Sequence, residues 1–439
     1  MLPDLVIPYR SAWDPATASE GALDPLGLTL LADRMAVHMV PGVRERQSDP
    51  RWLVACCVGA VVNSWFDPDQ VAADGLSSPS MVYEWHVAAA LVSEGLSEGM
   101  PGRLKVRRAL ERGEPISRQN YLKTASVFGF QGVYRVLGVS LRLMDRDGQL
   151  LERGAELLEV WMRKQGQPGF ISGNGHGRDL RRRLEQLVKS GLKTGHSSRM
   201  SPADKRLLKD ALSPKRMGNQ VRGRLWSLLQ EPGETGGWRN WFLDVLASPT
   251  AARVLAQRSE RKTFEWLLRQ HPPHELRPWL KAVLAYEAYA RLLENAFEAV
   301  LYKASVRQPI SVSGLAGERS IKKAAKSISR HYQVAIDALA RLEEPGLKEE
   351  LSARFQEVSM STASIEEWVS GLLVHHERIQ KDKPPEGKAP WFDRFGNDRI
   401  LTRPRYWRES LGKQENDFVN RYRTVPLRKF AEHLGRTES

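Results

Sequence analysis

The longest apolar stretch of the chain, residues 52–62 (WLVACCVGAVV), constrains its fold more than any other feature. A membrane-spanning helix needs about 20 apolar residues, so this run is too short to cross a bilayer. A helix that is apolar on all sides has to be covered by protein on all sides. The run therefore predicts a buried helix inside a folded domain.

The same run contains Cys56 and Cys57, which are the two cysteines of the chain. Adjacent cysteines are poorly placed to bond to each other, and there is no spaced C-x-x-C pair that would indicate zinc. The N-terminal residues MLPDLVIPYR include an early Asp and two prolines and lack the order of a secretory signal. We expect two buried thiols in a cytoplasmic protein without metal or cofactor.

Apolar residues at helical spacing predict a mainly α protein. In residues 276–301 they occupy two adjacent stripes, which indicates a central helix covered on most sides. In residues 321–342 they step by 4, 3, 4, 3, 4 and 3 before Pro345-Gly346 ends the repeat, which favours an antiparallel helical hairpin over a long coiled coil. Residues 384–408 are rich in Pro, Arg and aromatics and predict an irregular tail, extended or hairpin-like, against the helices.

Residues 126–154 (SVFGFQGVYRVLGVSLRLMDRDGQLLERG) have the order of elements of a winged helix. A first helix is predicted over 118–126, a turn at Gly129 and a second helix after it. The sequence Asp-Arg-Asp-Gly at 145–148 predicts a hairpin-type turn, because Asp-Gly favours positive φ. A last helix begins at 153. The pattern predicts a winged-helix module.

Winged helices bind DNA in some proteins and dock protein partners in others, so the pattern leaves the partner open. If this module binds DNA, Gln131 and Arg135 are the candidates to face a groove, since they lie near the start of the second helix. Arg146, at the tip of the turn, would reach a phosphate or the minor groove.

The charge balance favours an anionic partner. The chain has 66 Lys and Arg against 52 Asp and Glu, a formal net charge of +14. Residues 178–224 alone hold 14 Lys and Arg against 4 Asp and Glu, and leucines at helical spacing leave one helix face cationic. A solvated basic surface and a patch that grips an acidic subunit remain alternatives. The candidate phosphate contacts are Arg181, Arg182, Arg183, Lys189, Lys205, Arg206, Lys215 and Arg216.

Signatures of catalysis are mostly absent from the sequence. It has no G-x-x-x-x-G-K-[ST], no G-x-S-x-G and no H-E-x-x-H. His375-His376-Glu377 comes nearest to a metal motif, but adjacent side chains on a helix point about 100° apart. In residues 378–408, nine Lys and Arg alternate with aromatics, a pattern that suits stacked bases and equally suits aromatic anchors in a core.

Three stretches of the chain carry a resemblance to a known family. They are residues 23–53 (LDPLGLTLLADRMAVHMVPGVRERQSDPRWL), the module at 126–154, and residues 375–395 (HHERIQKDKPPEGKAPWFDRF). They resemble a family of bacterial proteins encoded in antiphage defence islands. The resemblance implies a subunit of a multi-protein defence system, either nucleic-acid-binding or an adaptor, and none of the three stretches is a catalytic motif.

These features together predict a mainly α, multi-domain helical protein with a winged-helix module and an irregular C-terminal tail. Its parts are an N-terminal helical region (1–100), a winged-helix-like module (101–170), a basic helical linker (171–230) and a C-terminal helical domain (231–439). We expect a protein that is not an enzyme and that binds nucleic acid, DNA rather than RNA, through the backbone. Its expected partners are ATPase or nuclease subunits, and no membrane. The alternatives are a scaffold without nucleic-acid contact and a divergent metal-dependent nuclease.

Overall fold

A computed structural model of the chain describes residues 24–122, 129–231, 237–342, 344, 346–360, 364–383, 386–396, 398–411 and 416–437. Within these ranges the protein is mainly α-helical, as the periodicity predicts, with three short strands. Among the described residues, no helix combines the length and the apolar composition that crossing a membrane requires.

The helices are numbered in chain order. They are α1 (Thr29–Met39), α2 (Trp52–Asn63), α3 (Pro79–Ser93), α4 (Arg103–Glu111), α5 (Phe130–Ser140), α6 (Glu152–Gln165), α7 (Gly177–Thr194), α8 (Pro202–Leu212), α9 (Asn219–Gln230), α10 (Arg239–Ala247), α11 (Pro249–Ala256), α12 (Glu260–Leu267), α13 (Leu276–Val306), α14 (Val312–Ala316), α15 (Arg319–Leu339), α16 (Leu347–Met360), α17 (Ile365–Lys381) and α18 (Thr424–His433). Short 3-10 turns cover Pro214–Arg216 and Pro404–Tyr406, and the strands are β1 (Ile310–Ser311), β2 (Phe392–Phe395) and β3 (Arg399–Thr402).

The chain divides into two compact units. Unit 1 comprises Met1–Met35 and Gln257–Tyr422, and unit 2 comprises Ala36–Ala256 and Arg423–Ser439. The boundaries predicted from the sequence near residues 100, 170 and 230 all fall inside unit 2. The glycine-rich segment between α6 and α7 is a compact turn, in which the Gly177 N–H donates to the Pro168 carbonyl at 2.9 Å.

The core of unit 2 is built around α2. Every residue of α2 from Trp52 to Val62 is buried, which confirms the buried helix predicted from the apolar run. Helices α3, α5, α6 and α7 pack against it, and α3 packs in turn against α4, α7 and α8. Cys56 and Cys57 are free and buried, and burial raises the pKa of Cys57 to about 12.

The N-terminus of α5 is capped by a buried carboxylate from α3. Glu84 accepts hydrogen bonds from the Tyr121 hydroxyl (2.6 Å) and from the N–H groups of Phe130 (3.1 Å) and Gln131 (3.0 Å). The first N–H groups of a helix have no partner inside it, and a carboxylate there is favoured by the helix dipole. Burial raises the pKa of Glu84 to about 7, although these three hydrogen bonds favour its ionised form. Gly129 precedes the helix because a side chain there would overlap this carboxylate.

The hairpin turn predicted at 145–148 is present. The Asp145 carboxylate accepts the N–H groups of Asp147 (2.9 Å) and Gln149 (2.8 Å), and Gly148 has a φ of +86°. An antiparallel bridge between Met144 and Leu150 closes the hairpin, and α6 follows it. The described residues therefore contain the predicted order of helix, hairpin and helix.

The first helix of the predicted module is not seen among the described residues. Residues 118–120 form a turn, in which the Asn120 carboxamide oxygen accepts the Ser117 N–H at 3.0 Å. This bond uses the side chain of Asn120 to close a local turn in place of a first helical turn. The rest of the predicted helix, residues 123–128, lies outside the described residues.

Unit 1 is organised around α13, a helix of 31 residues with 16 of them buried. Helix α15 packs along α13 and buries most of the seam predicted from the heptad spacing, including Ile321, Ile328, Tyr332 and Leu339. Ala324 is fully buried, whereas Ala325, the position that the heptad spacing places on the seam, is half-buried. Helices α16 and α17 pack against α15.

The tail forms a small antiparallel sheet with strand order β1-β3-β2. Ile310 is in register with Ile400, and Phe392 with Thr402. Trp391 is buried and its ring stacks on Tyr406 with the centroids 4.4 Å apart. The expected hairpin against the helices is confirmed, and Trp391 serves as a core anchor.

The Glu84 cap can be tested by adding one methyl group. We expect Gly129→Ala to destabilise the protein by about 1–3 kcal/mol, since overpacking a filled site costs about that much, and to lower its melting temperature by several degrees. The matched control is Gly371→Ala in α17, where a Cβ would meet no atom within 4 Å and alanine favours the helix. Thermal unfolding followed by circular dichroism measures both, and equal melting temperatures for the two variants would contradict this role of Gly129.

Candidate nucleic-acid interface

Helix α7 is held in unit 2 by one apolar face. Leu180, Leu184, Leu187 and Val188 are buried, and the helix packs against α2 and α3. Gly191 permits close approach, since a Cβ there would lie 2.5 Å from a methyl carbon of Val82. The orientation of α7 is therefore fixed by packing, and its opposite face lies in solvent.

The exposed face of α7 carries four cations, here called the α7 stripe: Arg178, Arg182, Lys189 and Lys193. All four are exposed, and none has a hydrogen bond or an ion pair from its side chain to any described residue. Their spacing of 4, 7 and 4 residues keeps them on one side of the helix over about 22 Å. The stripe is thus a row of positive charges that the described part of the fold does not neutralise.

Two neighbouring arginines on α7 are used inside the fold. The Arg181 guanidinium contacts Glu185 (2.8 Å) and donates to the carbonyl of Ile171 (2.6 Å). Glu185 lies between cations of the α7 stripe in sequence, but its side chain is only 15% exposed and is compensated by Arg181. The other carboxylate of α7, Asp179, is exposed and makes no ion pair with any described residue. The exposed face of α7 therefore keeps a net positive charge, with four cations against one carboxylate.

Arg183 joins α7 to α8. Its guanidinium makes two hydrogen bonds to Asp204, at 2.6 and 2.5 Å. Asp204 also accepts the Ser201 N–H at 3.0 Å and forms a capping box at the start of α8. The hydrogen bonds from Arg183 and Ser201 lower the pKa of Asp204 to about 2. Arg183 is therefore a structural residue that positions the two basic helices.

The remaining predicted contacts divide into paired and unpaired cations. Lys215 contacts Glu98 at 2.8 Å and Arg216 contacts Asp210 at 2.9 Å, although both cations are about half exposed. Lys205 and Arg206 on α8 make no ion pair within 4 Å among the described residues. Their charges lower the pKa of Glu94, after a hydrogen bond from Lys209 that lowers it more. Of the eight predicted phosphate contacts, Arg182, Lys189, Lys205 and Arg206 lack a carboxylate partner among the residues that the structure describes.

The candidates in the predicted winged helix are mostly held by local contacts. The Gln131 side chain is half-buried and donates to the carbonyl of Ser80 at 2.5 Å. The Arg135 guanidinium donates to the backbone carbonyl of Arg146 and so ties the hairpin to α5. The Arg146 side chain is exposed and has no partner among the described residues. Of these three, Arg146 alone presents an unengaged charged group.

The stretch His375-His376-Glu377 is part of the core of unit 1. His375 donates to the carbonyl of Leu26 (2.9 Å) and His376 to that of Pro25 (2.8 Å), while the second ring nitrogen of His376 accepts the Trp391 N–H (2.9 Å). Burial lowers the pKa of His375 to about 4 and that of His376 to about 3. Residues from the stretches 23–53 and 375–395 therefore meet in one packed region.

Carboxylates near this stretch are also paired. Glu377 contacts Arg394 at 2.5 Å, and in the tail Asp393 contacts Arg403 at 2.9 Å. Among the described residues, no three or more His, Cys, Asp or Glu side chains are grouped so that they could hold a metal ion. The geometry gives no convergent set of acidic side chains at this place.

We did not predict Arg178 and Lys193 from the sequence as contacts, although the signal was present. Both recur in phase with Arg182 and Lys189 and out of phase with the buried leucines of α7. Comparisons with protein-family models, with curated proteins and with solved structures find no match for this chain.

The difference between structural and available cations predicts different costs of substitution. Arg183→Gln leaves Asp204, whose side chain is 10% exposed, without its guanidinium, and we expect a loss of about 1–3 kcal/mol of stability. Arg182→Gln, one residue away, changes an exposed unpaired side chain and should stay within about 0.5 kcal/mol of wild type. Thermal unfolding of the two variants measures this, and an equal loss in both would contradict the assignment of Arg183 as structural.

Proposed function

We propose that this protein binds DNA without catalysis, through the phosphates of the backbone. The observation that carries the proposal is the α7 stripe, four exposed cations in one row without a carboxylate partner among the described residues. A row of about 22 Å passes roughly six phosphates of one strand, which repeat about every 3.4 Å along the duplex axis. Each contact releases condensed counterions, so the row supplies affinity that depends on salt and not on sequence.

The other candidate contacts differ in whether an ion pair already engages them, and we expect those without an ion pair to contribute more to DNA binding. Lys205, Arg206 and Arg146 have no ion pair with the described part of the chain, so they can add to the cations of the α7 stripe. Lys215 and Arg216 have to leave Glu98 and Asp210 before they can bind a phosphate, so we assign them a smaller contribution. Arg181 and Arg183 act by holding α7 and α8 in place.

The helix, hairpin and helix around Arg146 are proposed to belong to a complete winged helix. In that arrangement Arg146 contacts a phosphate at the tip of the hairpin, and Arg135 supports the hairpin from α5. Gln131 is bonded to the Ser80 carbonyl, so it would have to exchange that bond to read a base. Because Gln131 and Arg135 already make hydrogen bonds within the fold, contact with the DNA backbone is favoured over direct readout of bases.

The cellular setting of the proposal rests on the resemblance of residues 23–53, 126–154 and 375–395 to proteins of bacterial antiphage defence islands. We propose a cytoplasmic subunit that holds DNA inside a multi-protein defence complex. In such a complex the partner subunits would carry the ATPase or nuclease chemistry.

A scaffold or adaptor role without DNA contact is the second candidate, and one observation favours it. The segment between α2 and α3 exposes three large apolar side chains: Trp65 (68%), Val71 (48%) and Leu76 (58%). Large apolar side chains that a protein leaves exposed are candidates for docking another protein. A wild-type protein that fails to bind duplex DNA at low salt would favour this candidate.

Salt titration of duplex binding tests the α7 stripe. We expect the variant with Arg178, Arg182, Lys189 and Lys193 all changed to Gln to lose at least tenfold in affinity near 100 mM salt. The plot of log K against log salt has a negative slope, and its magnitude should decrease by about 3–4 in this variant, since each phosphate contact contributes about 0.9.

The matched control removes the same number of charges from paired cations. It changes Arg112, Lys215, Arg216 and Arg261 to Gln, four side chains that are each 52–59% exposed and contact a carboxylate. The control should keep most of the wild-type affinity and slope. An equal loss in both variants would mean that net charge, and not the α7 stripe, determines binding.

The non-catalytic part of the proposal has its own test. Purified protein incubated with supercoiled plasmid and Mg²⁺ or Mn²⁺ is expected to leave the plasmid intact on a gel, because no three His, Cys, Asp or Glu side chains of the described residues are grouped so that they could hold the metal ion. Metal-dependent nicking that recurs in independent preparations, and that a chelator abolishes, would support the divergent nuclease instead.

A further inference from the structure

A second row of cations lies in unit 1, on the exposed face of α15. This face, here called the α15 stripe, consists of Arg319, Lys322, Lys323, Lys326 and Arg330. All five residues are exposed, and no described residue forms an ion pair with any of them. Residues 319–336 contain no Asp or Glu at all.

The five cations of the α15 stripe lie on one side of the helix because of their spacing in the sequence. At about 100° per residue, the five positions fall within an arc of roughly 100°. The first and the last of them are 11 positions apart, which corresponds to about 17 Å along the helix. The apolar side of the same helix, with Ile321 and Ile328, is buried, so the cations cannot turn inward.

Two carboxylates flank the α15 stripe in the sequence, and neither forms an ion pair with it. Glu318, just before the helix, contacts Lys303 at 3.0 Å. Asp337, after the last cation of the stripe, accepts a hydrogen bond from Gln333 at 2.8 Å. The stripe therefore holds five positive charges that no described carboxylate compensates.

Neighbouring α16 shows what a solvated face looks like in this unit. It alternates the two signs of charge, and Arg354 contacts Glu350 at 2.5 Å in the next turn of the helix. Mixed signs are typical of faces that only need to be soluble. A run of one sign repels itself, which weakens the fold unless an external polyanion compensates it.

We infer that the α15 stripe is a second nucleic-acid site, which binds the phosphodiester backbone independently of the α7 stripe. The inference goes beyond the proposed function, because it gives each of the two units its own contact with the backbone. One chain then engages nucleic acid through two charged faces, and the two contributions add to the affinity when one molecule occupies both.

Two other anionic partners fit the α15 stripe less well. An interfacial helix inserts its apolar face among lipids, whereas the apolar face of α15 is buried against α13. A protein interface uses aromatic and apolar anchors and is depleted in lysine, whereas three of these five residues are lysines. Lysine is a strongly hydrated point charge on a flexible stem, which suits sequence-independent contact with phosphates.

The experiment compares four proteins in duplex-DNA titrations at several salt concentrations: wild type, an α15 variant, an α7 variant and the combination of both. In each variant, the cations of the stripe are changed to Gln, which keeps helix propensity. Melting temperatures confirm that each protein is folded, and a second α15 variant with Lys322, Lys323 and Lys326 changed to Arg keeps the charge.

We expect the α15 variant to lose at least tenfold in affinity near 100 mM salt. The magnitude of its slope of log K against log salt should decrease by about 4–5. The lysine-to-arginine variant should retain both quantities, and the combined variant should lose more than either alone. An unchanged affinity and slope in the α15 variant would overturn the inference. So would a stripe-dependent binding of poly-glutamate or of phosphatidylserine vesicles without any change in DNA binding.

The outcomes separate this inference from the proposed function. If the α15 variant is impaired and the α7 variant binds as wild type, the α15 site stands and the role proposed for α7 fails. The reverse result removes the α15 site and leaves the proposed function intact.

Discussion

The burial of α2 from Trp52 to Val62 in unit 2 and the extensive burial of α13 in unit 1 are the constraints on which the rest of the structure depends. A helix buried in this way needs neighbours that each offer one apolar face, and the opposite face of such a neighbour has to meet water. Helices α7 and α15 are neighbours of this kind. Their cations are therefore presented outward in rows, at the spacing that an α-helix dictates.

Some of the cations on these helices form ion pairs with carboxylates of the protein, and the others remain available to bind phosphates. Asp204 engages Arg183 and Glu185 engages Arg181, and both pairs hold the basic helices in place. What remains unpaired on α7 and α15 is a minority of the 66 Lys and Arg, gathered on two faces. A net charge alone would not distinguish these residues from the ion-paired ones. Paired and unpaired cations are distinguished by their contacts with carboxylates, and the unpaired ones define the extent of the proposed interface.

Local patterns in the sequence predicted the features that depend on neighbouring residues. The buried run at 52–62, the hairpin turn at 145–148 and the seam of α15 all follow from spacing of a few residues. Contacts between distant residues were not predictable in this way: Arg183 reaches Asp204, Gln131 reaches Ser80, and His376 reaches Pro25, 351 positions earlier. The absence of acidic residues at 319–336 indicates the α15 stripe, whereas the apolar seam of the same helix indicates packing, and spacing alone does not decide which face has the functional role.

The most direct measurement of the central claim is chemical footprinting of lysines with and without duplex DNA, read by mass spectrometry. If phosphates occupy both faces, Lys189, Lys193, Lys322, Lys323 and Lys326 become less reactive when DNA is added and recover in high salt. Lys215, which is 53% exposed but paired with Glu98, is expected to keep its reactivity. Protection spread evenly over all lysines, or absent from both helices while DNA is bound, would contradict the claim that the two stripes hold the backbone.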